Sequence, residues 1–222
     1  MSAGGPPRRA RPPEGASRSG VRGERAGTPA IVYLHGFNSA PQSVKGRLVA
    51  RGAAALVPAP LVHLPRLPHR PAQAIREVCA WLDDRALGGP ALALVGSSLG
   101  GYYATWLAEK YGARAIVINP AIRPWVDLRA FAGRQRNLYT GDEYDVTDEH
   151  FAEIEALRVV KITRPERYLL MVRTGDELLD WRASVAHYAG CWQYVLGGGD
   201  HGWADFGDEV DCVLRFALSG LQ

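Results

Sequence analysis

The stretch "LALVGSSLGGYYATWLAEKY" (residues 92–111) constrains the fold more than any other part of the chain. An apolar run meets a corner of small residues and leaves at once as an amphipathic segment. The run fits a central parallel strand covered on both faces. The corner fits a sharp strand-to-helix turn, which crowds the residues two before and two after a central serine, so that both must be small. Centred on Ser98, those flanks are Gly96 and Gly100; centred on Ser97, they are Val95 and Leu99. Only Ser98 satisfies G-x-S-x-G. It would open a helix, whose free N–H groups and positive dipole end favour a developing anion, and the Leu99 amide is one natural donor.

The rest of the body repeats strand, turn and helix. Strands are expected at 30–34, 54–61, 90–96, 114–119, 168–172 and 191–196, and helices at 43–52 (closed by Gly52) and 71–86. In the 71–86 segment Ile75, Val78, Cys79 and Leu82 follow helical spacing, and Pro71 sits at a helix start, where its missing N–H costs nothing. A last helix carries Phe206, Val210, Val213, Leu214, Ala217 and Leu218 on one face. Six strands alternating with helices predict an α/β fold on a mostly parallel sheet. Residues 120–166 exceed what one crossover needs and are expected to form an insertion near the site, with short helices in "RPWVDLRAFAGRQ" and, N-capped by Thr147, in "TDEHFAEIEALRVV".

A serine needs a base, and the base needs an orienting acid. In this architecture they follow in the order serine, acid, histidine, at the ends of later strands. His201, in "GGGDHGW" after the last strand, is the expected base. His35 is expected to be structural; His63 and His69 lie in a Pro-rich loop, and His150 and His187 on helices. For the acid, Asp176, Glu177 and Asp180 follow the fifth strand. Asp176 comes directly after the strand and a glycine, whereas Asp180 suits a helix N-cap; Asp200 adjoins His201, and neighbours seldom orient each other. The second oxyanion donor is expected in "HGFNSAP", at the Phe37 amide, with Gly36 allowing close approach and Asn38 holding the loop. Trp125 is a candidate acyl wall. No histidine pair has helical zinc spacing and there is no Cys/His cluster, so neither metal nor cofactor is expected.

Several segments together are more specific than G-x-S-x-G. "YLHGFNSAPQSVKG", "PAQA", "GSSLGGYYATWLAEKYG", "INPAIRPW", "YTGDEYDVTDEH", "TGDELLDWR" and "GGDHGW" resemble the YqiA-type esterases, small bacterial α/β-hydrolases, over about residues 30–219. The resemblance implies a compact α/β-hydrolase fold and action on short acyl esters or acyl-CoA thioesters. It places nucleophile, acid and base on Ser98, Asp176 and His201. In "DHGW", Gly202 and Trp203 stand where the family pattern has serine and phenylalanine, which is expected to alter the wall beside the base. A non-catalytic binding module on the same fold is the reading from another class.

Composition bounds the partners. With 47% hydrophobic residues among 222, the chain can build one full core. Residues 1–28 hold six arginines and two glutamates, a surplus of four positive charges against a whole-chain net of +3, so residues 29–222 carry −1. The folded body therefore lacks the net basic charge of a nucleic-acid binder. An RNA contact would have to come from the tail, whose Arg, Pro, Gly and Ser content predicts disorder. Arg8-Arg9 lacks the apolar run of an export signal. No run of about 18 apolar residues suggests a membrane span. Three cysteines (Cys79, Cys191 and Cys212) without paired spacing fit a reduced, cytoplasmic compartment.

Overall fold

The computed structural model describes Met1 and residues 28–219; the expectation for the Arg-rich tail falls outside the described residues. Eight strands follow in chain order: β1 (Ala30–Leu34), β2 (Leu61–His63), β3 (Leu92–Ser97), β4 (Arg114–Ile118), β5 (Gly133–Arg136), β6 (Glu143–Val146), β7 (Tyr168–Arg173) and β8 (Trp192–Leu196). Between and after them run α1 (Val44–Ala54), α2 (Pro71–Asp84), α3 (Leu99–Tyr111), α4 (Pro124–Asp127), α5 (Asp148–Glu155), α6 (Trp181–His187) and α7 (Val210–Ala217). Six strands form one sheet in the order β2-β1-β3-β4-β7-β8, each pair parallel. The expected fold class is the observed one.

The two-residue period of the strands divides the core. Val32, Leu34, Leu94, Val117 and Leu170 face α2 and α3, where they meet Ile75, Val78, Leu82 and Leu107. Ile31, Tyr33, Val95, Ile116 and Met171 face α1 and α7, where they meet Val49, Val213 and Leu214. Such fully buried aliphatic side chains contribute about 1.5–3 kcal/mol each. Continuous apolar strands are what a sheet covered on both sides requires. Among the described residues no helix is long and apolar enough to cross a membrane.

The topology selects the site. From β1 the chain moves outward to β2, then crosses back to β3 on the other side of β1. The loops leaving β1 and β3 therefore diverge at the carboxyl edge, where open α/β sheets bind ligands. Leu34 pairs in register with Gly96, which brings the start of the "HGFNSAP" loop beside the β3–α3 corner.

Three local expectations need correction. The second strand is not at 54–61 but at Leu61–His63, because α1 continues through Gly52 to Ala54. Gly52 does not end the helix; it lets α1 approach α7, since a Cβ there would fall 2.6 Å from Val210 Cγ1. The insertion also holds more than two helices. Between α4, extended by a 3₁₀ turn over Leu128–Phe131, and α5 lies an antiparallel hairpin, β5–β6. Its strands, "GRQR" and "EYDV", are mostly polar and largely exposed, so they carry no apolar alternation to betray them.

Candidate active site

The β3–α3 corner is as tight as the glycine spacing requires. A Cβ on Gly96 would lie 2.1 Å from the Gly100 carbonyl oxygen, and one on Gly100 would lie 2.0 Å from that of Leu34. No side chain fits at either position. Ser98 pays for the turn with φ 57° and ψ −122°, a backbone state that costs a non-glycine residue of the order of 1–3 kcal/mol. Such strain persists where neighbours enforce it, and here the Ser98 amide donates to the Ile118 carbonyl (3.0 Å) while its carbonyl accepts from Gly101 (2.9 Å) and Ala121 (3.2 Å). The Ser98 hydroxyl does not cap α3. Ser97, by contrast, is buried.

His201 and Asp176 meet. The imidazole Nδ1 lies 2.8 Å from Asp176 Oδ2, and the Asp176 side chain is only 2% exposed. The other Asp176 oxygen, Oδ1, accepts the amides of Leu178 and Leu179, both at 2.9 Å. Burial acts to raise the carboxyl's pKa, but the hydrogen bonds from His201, Leu179 and Leu178 outweigh it and hold the group below its ordinary value. Such a carboxylate stays ionised and keeps the imidazole proton on Nδ1, leaving Nε2 bare.

The competing acids have other partners. Glu177 Oε2 accepts the His201 amide at 2.9 Å, Asp180 Oδ1 caps α6 by accepting the Arg182 amide at 2.9 Å, and Asp200 Oδ1 accepts the Trp203 amide. The competing histidines are likewise placed. His35 is buried, with Nε2 accepting the Leu67 amide at 3.2 Å; His63 stacks on Trp81; His69 and His150 bond to each other; His187 lies on α6.

Sequence reasoning missed the residues that hold the histidine loop. Asn119, just beyond β4, is buried with φ 41°. Its Oδ1 accepts the Arg173 amide at 2.9 Å, and its Nδ2 donates to the His201 carbonyl at 3.1 Å. Since the preceding Ile118 binds the Ser98 amide, one short segment ties the serine corner to the histidine loop. A polar residue closing an apolar strand was the available signal. Arg173, also buried, donates to the Gly198 carbonyl and pairs with Asp205 at 3.4 Å. Lys45 on α1 donates to the Gly202 carbonyl; burial pushes its ammonium pKa down, opposed by Asp200 and Asp176. Trp203 corrects another expectation. It is 1% exposed, packs edge-on against Phe206 and sits beneath the Arg173 guanidinium, so it fills the core instead of walling the base.

The loop after β1 completes the site. A Cβ on Gly36 would lie 3.2 Å from Ser98 Cβ and 3.8 Å from its Oγ, so Gly36 lines the serine's immediate surroundings. The Phe37 and Leu99 amides donate to no acceptor among the described residues. Trp125, on α4, is half-buried against Tyr102, one turn along α3 from Ser98, with the Arg158 guanidinium on its ring.

Solved structures of similar shape include Est1E from Butyrivibrio proteoclasticus (16% identity, covering 87% of this chain and 88% of that one, TM-score 0.65). Mouse alpha/beta hydrolase domain-containing protein 10 is similar too (18% identity, 88% and 91%, TM-score 0.65). So is a metagenome-derived enzyme of the lipolytic pair LipS and LipT (22% identity, 86% and 93%, TM-score 0.61). The shared architecture is the α/β-hydrolase fold. The model of an uncharacterised protein family, UPF0227, matches residues 30–218, and the chain belongs to that family, the YqiA family.

Proposed function

We propose that the protein is a serine hydrolase that cleaves short-chain carboxylic esters through an acyl-enzyme. The observation that carries this reading is the 2.8 Å bond between His201 Nδ1 and a buried, multiply bonded Asp176, in a loop that Asn119 ties to the strained Ser98 corner. A structural neighbour from a pair named as lipolytic enzymes supports the same class.

The steps follow from the proton positions. Substrate binding brings the Ser98 hydroxyl and His201 Nε2 into hydrogen-bond contact, as is common when a free site tightens around its ligand. Ser98 Oγ attacks the acyl carbon and its proton passes to Nε2. The imidazolium is stabilised by ionised Asp176, which itself takes no proton. The carbonyl electrons move onto oxygen, and the Phe37 and Leu99 amides stabilise that oxyanion. Collapse breaks the ester bond, and Nε2–H protonates the leaving alkoxide. Water then repeats the sequence on the acyl-enzyme, giving up its proton to Nε2 and releasing the acid and free Ser98.

The test is a p-nitrophenyl ester series of increasing acyl length, run beside an acyl-CoA panel and a fluorophosphonate probe. Turnover of short esters, with labelling abolished in Ser98→Ala, is expected. A preference for the thioesters makes the enzyme a thioesterase. No turnover and no labelling of the wild type would mean a binding module on this fold.

A further inference from the structure

The hairpin β5–β6 is not a distant ornament of the insertion; it grips the loop after β1. The Tyr144 hydroxyl on β6 donates to Asn38 Oδ1. Asn38 Nδ2 donates to Gln135 Oε1 on β5 at 3.1 Å. The Leu138 amide donates to the Asn38 carbonyl at 3.2 Å, and Asn137 Nδ2 to the Ser39 carbonyl at 2.9 Å. The Phe37 ring packs on Phe131, just before β5, with centroids 5.6 Å apart. Asn38 and Ser39 are thus held by the hairpin and Phe37 by the turn that leads into it. Asn38 has φ 52°, a conformation that asparagine tolerates better than most residues and that needs support. On its other side the loop abuts Ser98 through Gly36.

We propose that the hairpin sets the direction of the Phe37 amide, with Tyr144 and Gln135 as positioning residues that act through Asn38. The inference rests on the reading of Ser98 as nucleophile and of the Phe37 amide as an oxyanion donor. An oxyanion donor must meet the tetrahedral oxygen, not the ground-state carbonyl, so a small rotation of its peptide weakens the transition state selectively. Asn38 is the residue after Phe37, one peptide beyond the one that carries the Phe37 N–H, and both arms of its side-chain amide end on the hairpin. Tyr144 is held in turn, its ring stacked on His69 with centroids 4.5 Å apart. The whole fold of the insertion is thereby coupled to the geometry at the reacting carbon.

The experiment uses the full chain and the variants Tyr144→Phe, Gln135→Ala and Asn38→Ala. It measures kcat and KM on p-nitrophenyl butyrate and inhibition by butylboronic acid, which adds to a serine as a tetrahedral mimic of the intermediate. Tyr144→Phe keeps the ring on His69 and removes one hydrogen bond. It is expected to lower kcat roughly tenfold, less than the 10²–10³ of losing a donor outright, with KM within about twofold and boronate inhibition weakened in parallel. The Tyr144→Phe/Asn38→Ala pair should be no slower than Asn38→Ala alone. A kcat within about twofold of wild type, a change confined to KM, or losses that multiply in the double variant would overturn the proposal while leaving the hydrolase reading intact. A wild type that takes no fluorophosphonate and turns over no ester overturns both. If Tyr144→Phe fails to fold, Gln135→Ala on the exposed hairpin answers the same question.

Discussion

His69 Nδ1 lies 3.0 Å from His150 Nε2, joining the loop after β2 to helix α5 of the insertion. His150 Nδ1 accepts the Thr147 amide at 3.1 Å, so its proton sits on Nε2 and points at His69. His69 Nδ1 must then be bare. The bond needs His69 neutral, since a proton on its Nδ1 removes the acceptor, and a proton on His150 Nδ1 would remove the acceptor of the Thr147 amide. The charges facing the pair are Arg70, which disfavours protonation, and Glu153 and Glu149, which favour it.

A pH dependence of stability follows. Burial first, then Arg70 at His69, and His69 and Arg70 at His150, hold both rings below the ordinary histidine value of 6.5. Burial also lowers His35, His63 and His187. Between the lowered folded values and 6.5 the unfolded chain binds more protons, so stability rises with pH there. It is fully present above about 6.5 and declines below it. Thermal unfolding from pH 7.5 to 5 should show a falling Tm, with a shallower fall in His69→Phe, which keeps the stack on Tyr144 but takes no proton. A Tm that holds steady over that range contradicts the account.

The two serines separate cleanly. Ser98→Ala should lose fluorophosphonate labelling while remaining folded, and it relieves no strain, because alanine is no better suited to φ 57°. Ser97→Ala removes a buried hydroxyl near Tyr33. It should keep labelling and cost no more than about 1 kcal/mol of stability. Labelling of both variants would place the nucleophile elsewhere.

Gly52→Ala sets two effects against each other. Alanine is favoured over glycine within a helix by about 1 kcal/mol. The new methyl, however, meets Val210 Cγ1 at 2.6 Å and Leu214 Cδ1 at 3.0 Å. Val210 is β-branched and stiff, so the helices must part, and overpacking of this kind costs about 1–3 kcal/mol. The clash should win, with a lower Tm for the variant. A higher Tm would show that α1 and α7 move apart at little cost.

The parallel sheet and the β3–α3 corner were legible for the same reason. Residues buried on both faces leave continuous apolar runs, and a turn that tolerates no Cβ leaves glycines at fixed spacing, as at Gly96 and Gly100. What stayed hidden was held by long-range polar contacts. Arg173 and Lys45 look like ordinary surface residues until the fold brings them to the histidine loop, and Asn119 shows only as a polar residue closing an apolar strand. The β5–β6 hairpin was hidden because its strands bury little and owe their place to Asn38 and Ser39, almost a hundred residues away. Gly52 and Trp203 misled for the opposite reason. A close helix approach resembled a helix stop, and a core aromatic resembled a pocket wall.

Trp125 joins α4 to Tyr102, whose hydroxyl donates to the Ile154 carbonyl of α5 at 2.7 Å. Because the ring is only half-buried, Trp125→Ala should cost less than the 3–5 kcal/mol of a fully buried tryptophan, about 2 kcal/mol. As an acyl wall it should also shift the ester series toward longer chains. A Tm loss with an unchanged chain-length profile would leave Trp125 as packing alone.

The acid offers the sharpest contrast, because Asp176 and Asp180 lie four residues apart with different partners. The Asp176 carboxylate is 2% exposed and bonds His201 and two amides. Asp180 is 63% exposed and bonds the first turn of α6. Asparagine at 176 is isosteric and can still accept an amide, but it carries no charge to stabilise the imidazolium and can hold the wrong tautomer. In serine hydrolases that change lowers turnover by roughly 10⁴-fold. Removing the cap at 180 costs about 1 kcal/mol of stability and leaves the chemistry alone. So Asp176→Asn should be nearly silent with its fold kept, and Asp180→Ala active with a modestly lower Tm. Turnover and thermal unfolding of both variants decide the matter. An active Asp176→Asn beside a silent Asp180→Ala would move the acid four residues along the chain and reduce the His201–Asp176 bond to loop structure.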